Sequence, residues 1–312
     1  MKICHWMLFV FIAVSCSKNK PMEEVNIPDA VDIHSFARMD KAVIKHLDLD
    51  LEVDFDRQQL RGSATYMIAL DSATSEITFD VNGLEIDSIL LVQKGQRLAA
   101  DFEIGESQPF LGASLKVKLP GNLEKISIYY HTVAEAAALQ WLNPKQTHGK
   151  QYPYLFTQGQ AVLTRTWIPI QDSPGIRFTY NAKIRVPEGL MAVMSASNPQ
   201  EKNPEGIYHF TMDKPIPAYL MALAIGDIEF SPISDRSGVY AEPGMLDAAV
   251  YEMADLEKMI VATETLYGPY RWDRYDLIIL PPSFPFGGME NPKLTFATPT
   301  IIAGDRSLTS LV

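Results

Sequence analysis

Cysteine and positive charge are both scarce in this sequence, and each shortage limits what the protein can be. Its 312 residues include two cysteines, Cys4 and Cys16, both close to the N-terminus. The rest of the chain therefore has no free thiol and no disulfide, and its stability must come from a packed core. Lysine and arginine number 27 against 38 aspartates and glutamates, which gives a formal net charge of -11. This balance argues against a nucleic-acid partner, which would require a basic surface.

The sequence also lacks long apolar runs and closely spaced histidines. Beyond its first few residues, no apolar stretch reaches the ~18 residues typical of a membrane-spanning helix. The histidines are His5, His34, His46, His131, His148 and His209. None is followed by a second histidine four residues later, which is the spacing that a helical zinc site with a glutamate base requires. Since no CxxC pair, phosphate loop or serine–histidine–aspartate arrangement occurs either, we expect no complete catalytic site and no metal ligands in this chain.

The N-terminal segment is typical of a targeting sequence rather than of a folded domain. A basic start, MKICH, precedes the short apolar run WMLFVFIAV, and small residues lead to Cys16. This order resembles the lipobox of bacterial lipoproteins, in which the cysteine carries the lipid. We therefore predict a lipoprotein signal peptide at residues 1–15 and a polar tether at 16–31, with Cys16 as the lipidation site; a plain secretory signal is the alternative. The expected location is the bacterial cell envelope, with the protein membrane-anchored only through its lipid and facing the periplasm or the exterior.

The next two hundred residues show the pattern of short β-strands. In LDLDLEVDF, residues 47–55, apolar and polar side chains alternate without a break, as they do in a strand with one buried face. Further runs of this kind are LRGSATYMIAL, SEITFDV, LEIDSILLVQ, SLKVKL, KISIYYH, AVLTRTWIPI, IRFTYNAKIRVP, GIYHFTMD and PAYLMALAIGDIEF. Short strands separated by turn residues at this spacing predict a sandwich or an open, curved sheet.

Beyond Gly244 the pattern changes from strands to helix. The segment MLDAAVYEMADLEKMIVATETLYGPY has apolar residues at helical spacing, which predicts one helix that Asp247 caps and that Gly268 ends. Strands are then predicted at residues 275–280 and 294–297. Asp305 and Ser307 have the character of a helix start, so we expect the chain to be cut off within a helix, which could not be stable alone.

The run FPFGGMENP, residues 284–292, places two glycines and one carboxylate between two predicted strands. Taken alone, Gly287 and Gly288 could form a hairpin turn with Glu290 on its solvent face. The longer segment FPFGGMENPKLTFATPTIIAGD resembles the exopeptidase signature of the zinc aminopeptidases related to aminopeptidase N. The segments FTQGQAVLTRTWIPIQDSPGIRFTYNAKIRVP and YDLIILPPSFPFGGMENPKLTFATPT are similar to the leukotriene A-4 hydrolase branch of that family and its bacterial relatives. The similarity covers residues 32–312.

The resemblance implies a fold and a site. The fold is a mainly β N-terminal domain at residues 32–230, with a curved, saddle-like sheet or sandwich, followed by the incomplete beginning of an α+β, thermolysin-like catalytic domain at 231–312. Zinc is implied for the full-length enzyme, with its ligands on a helix that follows a segment like AGDRSLTSLV. The implied substrate-binding residues are Gly159, Gln160, Ala161, Phe286, Gly287, Gly288, Met289, Glu290 and Asn291, with Glu290 on the free α-amine of the peptide. Phe286 stands where the leukotriene-hydrolysing enzyme has tyrosine, which favours a peptidase over an epoxide hydrolase.

Two functions follow from these observations. The first is the N-terminal part of a zinc-dependent aminopeptidase that removes N-terminal residues from peptides with a free N-terminus; this chain alone is then expected to be inactive. The alternative is a natural short product, a lipoprotein that binds peptide N-termini without catalysis.

Overall fold

The structure, a computed structural model, describes residues 32–71, 74–120 and 123–311. The predicted signal peptide, the tether and Cys16 lie outside the described residues, so the lipid anchor and the envelope location stay predictions. Among the described residues, no helix has the length and apolar character needed to cross a membrane.

Up to residue 226, the described part of the chain consists mainly of short strands, which confirms the predicted mainly β N-terminal domain. In chain order these strands are β1 (Ala42–Asp54), β2 (Gln59–Leu70), β3 (Glu76–Val81), β4 (Glu85–Gln93), β5 (Gln96–Ala99), β6 (Phe102–Ile104), β7 (Ala113–Lys118), β8 (Lys125–His131), β9 (Leu139–Leu142), β10 (Tyr154–Thr157), β11 (Arg177–Arg185), β12 (Met191–Met194), β13 (Ile207–Pro217) and β14 (Leu223–Gly226).

The remaining described residues form an α+β unit, as predicted. Its elements are β15 (Glu229–Ser234), β16 (Ser237–Ala241), α1 (Pro243–Glu252), α2 (Leu256–Tyr267), β17 (Tyr275–Ile279), β18 (Gly288–Met289) and β19 (Leu294–Ala297). The predicted boundary between the two domains, at residue 230, stays a prediction.

The described strands form four sheets. The largest has the order β13-β11-β1-β2-β8-β4-β5 and is antiparallel except where β1 lies parallel to β11. In β1, Leu47, Leu49 and Leu51 are almost completely buried, as their alternation predicts. Two smaller sheets have the orders β12-β14-β10-β9 and β3-β7-β6. The fourth sheet, β15-β16-β17-β19-β18, has parallel pairs at its centre and carries the GGMEN run at one edge.

The central strands of the fourth sheet are buried on both faces, which fixes their register. In β17, Ile278 belongs to the large core that the sheets of the β-rich domain also share. Its neighbours in sequence, Leu277 and Ile279, point to the other face, where they pack with Ala249 and Met253 in and beside α1. A one-residue slip of β17 would exchange these two sets of side chains, so the two cores together hold this strand in place.

A buried arginine holds the loop between β10 and β11. The side chain of Arg165 is fully buried, and its guanidinium donates to Asp172 Oδ2 (3.3 Å) and to the backbone oxygens of Leu111 (2.8 Å) and His34 (2.7 Å). A second carboxylate, that of Asp80, lies 3.7 Å from the guanidinium. Burial raises the pKa of Asp172 to about 6 although Arg165 opposes this shift, so Asp172 is mainly ionised at neutral pH.

This loop contradicts one strand prediction. The segment AVLTRTWIPI, residues 161–170, is not a strand: it forms turns and the short 3-10 helix Thr164–Thr166. Residues 164–170 are all buried, polar and apolar alike, so the alternation in the sequence does not mark a buried and a wet face. The segment PAYLMALAIGDIEF is likewise not one strand, since a 3-10 turn precedes β14 and a break separates β14 from β15.

The predicted single helix is in fact two. A turn at residues 253–255 separates α1 from α2, and α1 begins at Pro243 instead of near Asp247. Apolar periodicity does not reveal this break, because a three-residue turn is close to one helical turn of about 3.6 residues and leaves the later side chains nearly in phase.

The helix expected to start at Asp305 is also absent up to residue 311, the last described position. The chain there forms turns and a short 3-10 helix, Thr309–Leu311. The fully buried carboxylate of Glu252, at the end of α1, accepts the backbone N–H groups of Gly304 and Arg306 (2.9 Å for Arg306) and holds this segment against the helix.

Replacing Arg165 by methionine should destabilise the protein strongly. The variant leaves the carboxylates of Asp80 and Asp172 buried without their cation, and breaking a buried ion pair in this way costs about 3–5 kcal/mol. Urea unfolding followed by tryptophan fluorescence measures the effect. Arg38→Met is the control, because Arg38 and its partner Asp40 are both largely exposed (58% and 48%) and an exposed pair adds little stability. Equal unfolding midpoints for the two variants would contradict the role given to Arg165.

Candidate functional site

The GGMEN run lies on the free edge of the fourth sheet. Strand β18 pairs with β19 in an antiparallel register that sets Gly288 opposite Ala297 and Met289 opposite Phe296. No described strand pairs with the other edge of β18. Gly288 is thus part of a strand rather than of a hairpin turn, and backbone groups of this strand face outward, where a further extended chain could pair with them.

At the end of β18, one exposed residue stands between two buried ones. Met289 is buried in the large core and Asn291 is buried beside it, whereas Glu290 between them is exposed. A tight turn follows, in which the oxygen of Asn291 accepts from the N–H of Leu294 (3.1 Å). The carboxylate of Glu290 makes no hydrogen bond and no ion pair with any described residue.

A pocket of about 510 Å³ opens beside Glu290. Its lining residues are Tyr270, Trp272, Tyr275, Gly288, Met289, Glu290, Asn291, Pro292 and Thr295. The rings of Tyr270 and Tyr275 meet edge to face, 6.0 Å apart. Phenols have an ordinary pKa of about 10 and are neutral at physiological pH, and burial raises the pKa of both further. Glu290 is therefore the single charged side chain among the described residues that line this pocket.

The glutamine loop, residues 159–161, follows β10. Gly159 is buried, and its oxygen accepts from the N–H of Leu163 (2.8 Å), whereas Gln160 and Ala161 are exposed. The backbone N–H of Gln160 donates to the side-chain oxygen of Gln158 (3.4 Å), and the Gln160–Ala161 peptide bond is cis. Gln158 is itself buried, and its Nε2 has no partner among the described residues.

Phenylalanine rings connect the glutamine loop to the GGMEN run. Phe156 in β10 lies 5.7 Å from Phe284, centroid to centroid, and Phe284 lies 6.0 Å from the half-exposed Phe286. The structure therefore brings the two segments into one region. It does not join them directly: Gln160 and Glu290 share no hydrogen bond within the described structure, and residues 159–161 and Phe286 do not line the pocket beside Glu290.

Sequence reasoning missed the aromatic wall of the pocket. Tyr270 and Trp272 come from the loop between α2 and β17, and Tyr275 is the first residue of β17; the sequence of this region, GPYRWDRY, is rich in aromatic residues. This clustering of aromatic residues is visible in the sequence. The GGMEN run, which lines the same pocket, lies beyond β17, so only the folded chain shows that the two segments meet.

The described residues offer no metal centre. They contain no group of three or more histidine, cysteine, aspartate and glutamate side chains that could hold a metal ion. The zinc that the sequence resemblance implies therefore does not fit the residues described, and we assign it no step.

Two sequence-family models match the chain. The Peptidase M1 N-terminal domain matches residues 43–220, which is more than half of the chain, and the Peptidase family M1 domain matches residues 251–311. Together they cover both the β-rich domain and the GGMEN edge.

Similar proteins and structures agree with these matches. Leukotriene A-4 hydrolase of Xenopus laevis is 42% identical over 292 residues, covering 90% of this chain and 47% of that protein. Aminopeptidase B of Rattus norvegicus is 41% identical over 305 residues, covering 91% of this chain and 46% of that protein. The structure of yeast LTA4 hydrolase in complex with bestatin superimposes with a TM-score of 0.84 at 33% identity, covering 96% of this chain and 47% of that one. The chain spans about half the length of each of these relatives.

Gly159→Ala should destabilise the protein, whereas Gly287→Ala should not. A Cβ at position 159 would lie 2.7 Å from Thr164 Oγ1 and 2.8 Å from the backbone oxygen of Tyr219, so the loop or its neighbour must shift. Overpacking of this kind costs about 1–3 kcal/mol. A Cβ at position 287 meets nothing within 4 Å. Urea unfolding of the two variants tests this contrast, and a Gly159→Ala midpoint equal to that of the unchanged protein would count against the packing described.

Proposed function

Because this chain belongs to the peptidase M1 family, we propose that it is the N-terminal part of a zinc-dependent aminopeptidase in which Glu290 anchors the α-amine of the substrate. One observation carries the proposal. Glu290 is an exposed carboxylate without a partner among the described residues, placed at a free strand edge and beside an otherwise uncharged, aromatic pocket.

Charge is what distinguishes the end of a peptide from its interior. An α-amine has a pKa of about 8 and is largely protonated at neutral pH, whereas an internal amide carries no charge. A carboxylate fixed about 4 Å from the ammonium would gain about 4 kcal/mol at an effective dielectric constant of about 20, and less at an exposed position where water screens the pair. Aromatic faces near the carboxylate favour the same cation. A lone carboxylate beside neutral rings is therefore suited to an N-terminal ammonium.

The backbone of the edge suits an extended peptide. Peptides commonly bind by adding a strand to an open sheet edge, with main-chain hydrogen bonds supplying affinity. At Gly287 the fold itself leaves open space where a side chain could stand. Packing within the described residues does not require glycine there, and we assign the open space to the approaching peptide.

We place the zinc ligands and the general base outside this chain. The described residues would then serve to bind and orient the peptide, with Gln160 and the residues beside it facing its amino end. The name of aminopeptidase B, one of the relatives, supports removal of N-terminal residues as the activity of the whole protein.

Glu290→Gln should weaken the binding of a peptide with a free N-terminus by about tenfold or more, which corresponds to about 1.4 kcal/mol. The amide keeps the size of the side chain but cannot pair with an ammonium. Calorimetric titration of the full chain with the tripeptide Leu-Gly-Gly measures the change, and the N-acetylated tripeptide should bind weakly to both forms.

The control is Glu188→Gln, which removes an exposed carboxylate outside the pocket. It should leave both affinities unchanged. Equal affinity of the unchanged protein for the free and the acetylated tripeptide would refute the amine-binding role.

The chain alone should bind no stoichiometric zinc and should not hydrolyse peptides. Metal analysis after dialysis against zinc, together with an assay on leucine p-nitroanilide, tests this expectation. Stoichiometric zinc with measurable hydrolysis would overturn the placement of the catalytic groups outside this chain. The mass of the native protein from its source then separates the enzyme from the alternative, an inactive protein that binds peptide N-termini.

A further inference from the structure

We propose that Lys293 is a positioning residue for Glu290, because its buried ammonium ties the turn that carries Glu290 to the β-rich domain. This inference rests on the amine-binding role proposed above. It assigns Lys293 no contact with the substrate.

Lys293 is a buried lysine with two carboxylate partners. Its side chain is 6% exposed, and its Nζ lies 3.4 Å from Asp213 Oδ1 and 3.4 Å from Asp273 Oδ2. A second lysine, Lys214, contacts the same Asp273 and lies 3.8 Å from Asp213 Oδ2. Two ammonium groups and two carboxylates thus form one neutral cluster, which we call the Lys293 cluster.

The Lys293 cluster joins three segments that are distant in the sequence. Asp213 and Lys214 belong to β13, beside an irregularity where its register against β11 shifts between Phe178 and Tyr180. Bulges of this kind redirect side chains and are common beside functional sites. Asp273 belongs to the loop that forms the aromatic wall of the pocket, next to Trp272. The third segment is the GGMEN run itself, which Lys293 follows.

The backbone at two members of the cluster is strained. Lys293 has a φ of 67° and Asp273 has a φ of 68°, both in the left-handed region that side chains other than glycine rarely adopt. Each such residue costs about 1–3 kcal/mol and persists only where its surroundings hold it. Ion pairs to β13 lie at both of these residues, where they fix the direction of the side chains.

Lys293 is coupled to Glu290 through a short, hydrogen-bonded turn. The oxygen of Asn291 accepts from the N–H of Leu294 (3.1 Å), and the oxygen of Lys293 accepts from the N–H of Asp276 in β17 (3.3 Å). The position of Lys293 therefore sets the direction in which the chain leaves β18, and with it the direction of the Glu290 side chain.

The cluster is not suited to hold a ligand of its own. A pocket of about 360 Å³ lies beside it, lined in part by Asp213, Asp273, Arg274 and Lys293. Asp213 and Asp273 already neutralise Lys293, and Arg274 donates to Asp276 (2.6 Å). An anion would have to displace one of these carboxylates, so positioning is the role that the geometry supports.

The stability of the protein should depend little on Lys293. Its partners Asp213 and Asp273 are 60% and 64% exposed, so water can solvate them when the lysine is removed. Lys293→Met keeps the length of the side chain. It therefore removes the ion pairs with Asp213 and Asp273 without leaving a buried charge unpaired. This separates positioning from folding.

The test compares Lys293→Met, Lys293→Arg and the matched control Lys214→Met in the full chain, with Leu-Gly-Gly as the probe. We expect Lys293→Met to weaken binding about tenfold. Lys293→Arg keeps the positive charge and should retain most of the affinity. Lys214→Met removes a charge from the same cluster but not from the turn, so it should weaken binding less. Urea midpoints should be alike for Lys293→Met and Lys214→Met. The double variant Glu290→Gln with Lys293→Met should bind no more weakly than Glu290→Gln alone, since both act through one carboxylate.

The possible outcomes separate this inference from the function on which it rests. Wild-type affinity in Lys293→Met, with weakened binding in Glu290→Gln, would overturn the positioning role and leave the amine receptor standing. Unchanged affinity in both variants would overturn both proposals. Should Lys293→Met fail to fold, Asp273→Asn keeps the lysine and loosens the same tie; it should weaken binding as well, and unchanged affinity there would overturn the inference.

Discussion

The guanidinium of Arg165 satisfies, at one buried point, backbone oxygens of turn segments that no strand pairs with. Buried carbonyl oxygens need donors, and a guanidinium offers five N–H groups in one plane. Here it reaches the oxygens of His34 and Leu111 together with the carboxylate of Asp172. Three separate segments are thereby fixed without strand pairing, and a stretch that would otherwise be a free loop becomes part of the core.

The glutamine loop depends on this constraint. Gly159 lies six residues before Arg165, which is itself part of the 3-10 helix Thr164–Thr166. On its N-terminal side the glutamine loop follows β10, whose Phe156 packs against Phe284 ahead of the GGMEN run. A rigid scaffold on both sides is what allows loop residues to serve a binding site, since a mobile loop would lose entropy on binding. The same logic applies on the GGMEN side, where the Lys293 cluster replaces the guanidinium.

The two charge clusters differ in what surrounds them. Arg165 and Asp172 are removed from water, so their attraction is strong but the loss of either partner leaves a buried charge. In the Lys293 cluster the cation is buried while its carboxylates remain exposed, so the ion pairs are screened and add little stability. Geometry, rather than stability, is then what such a cluster contributes. Its members come from a bulge, a loop and a turn, where regular strand pairing gives no restraint.

Local patterns in the sequence predicted much of the fold but little of the contacts around the site. The alternation in β1 follows from period-two burial, and the predicted bounds of β19 agree with those of the observed strand. The segment 161–170 misled because a buried arginine, and not a strand ladder, organises it. Glu290 was singled out as a candidate because its motif is contiguous in the sequence. The ion pair between Lys293 and Asp213 was not predicted, because the two residues lie 80 positions apart in the chain and no periodicity connects them.

A carboxylate that receives an ammonium from a ligand must not be occupied by a cation of its own protein. Lys293 lies only three residues after Glu290, and an unrestrained lysine at that distance would compete with the proposed peptide ammonium for the carboxylate. Asp213 and Asp273 hold its ammonium instead. Tyr270 and Tyr275 are neutral at physiological pH, and burial raises the pKa of each phenol further, so no second charge competes within the pocket. The carboxylate is thus kept free by two arrangements that act together, one that turns the nearest cation away and one that keeps the pocket walls uncharged.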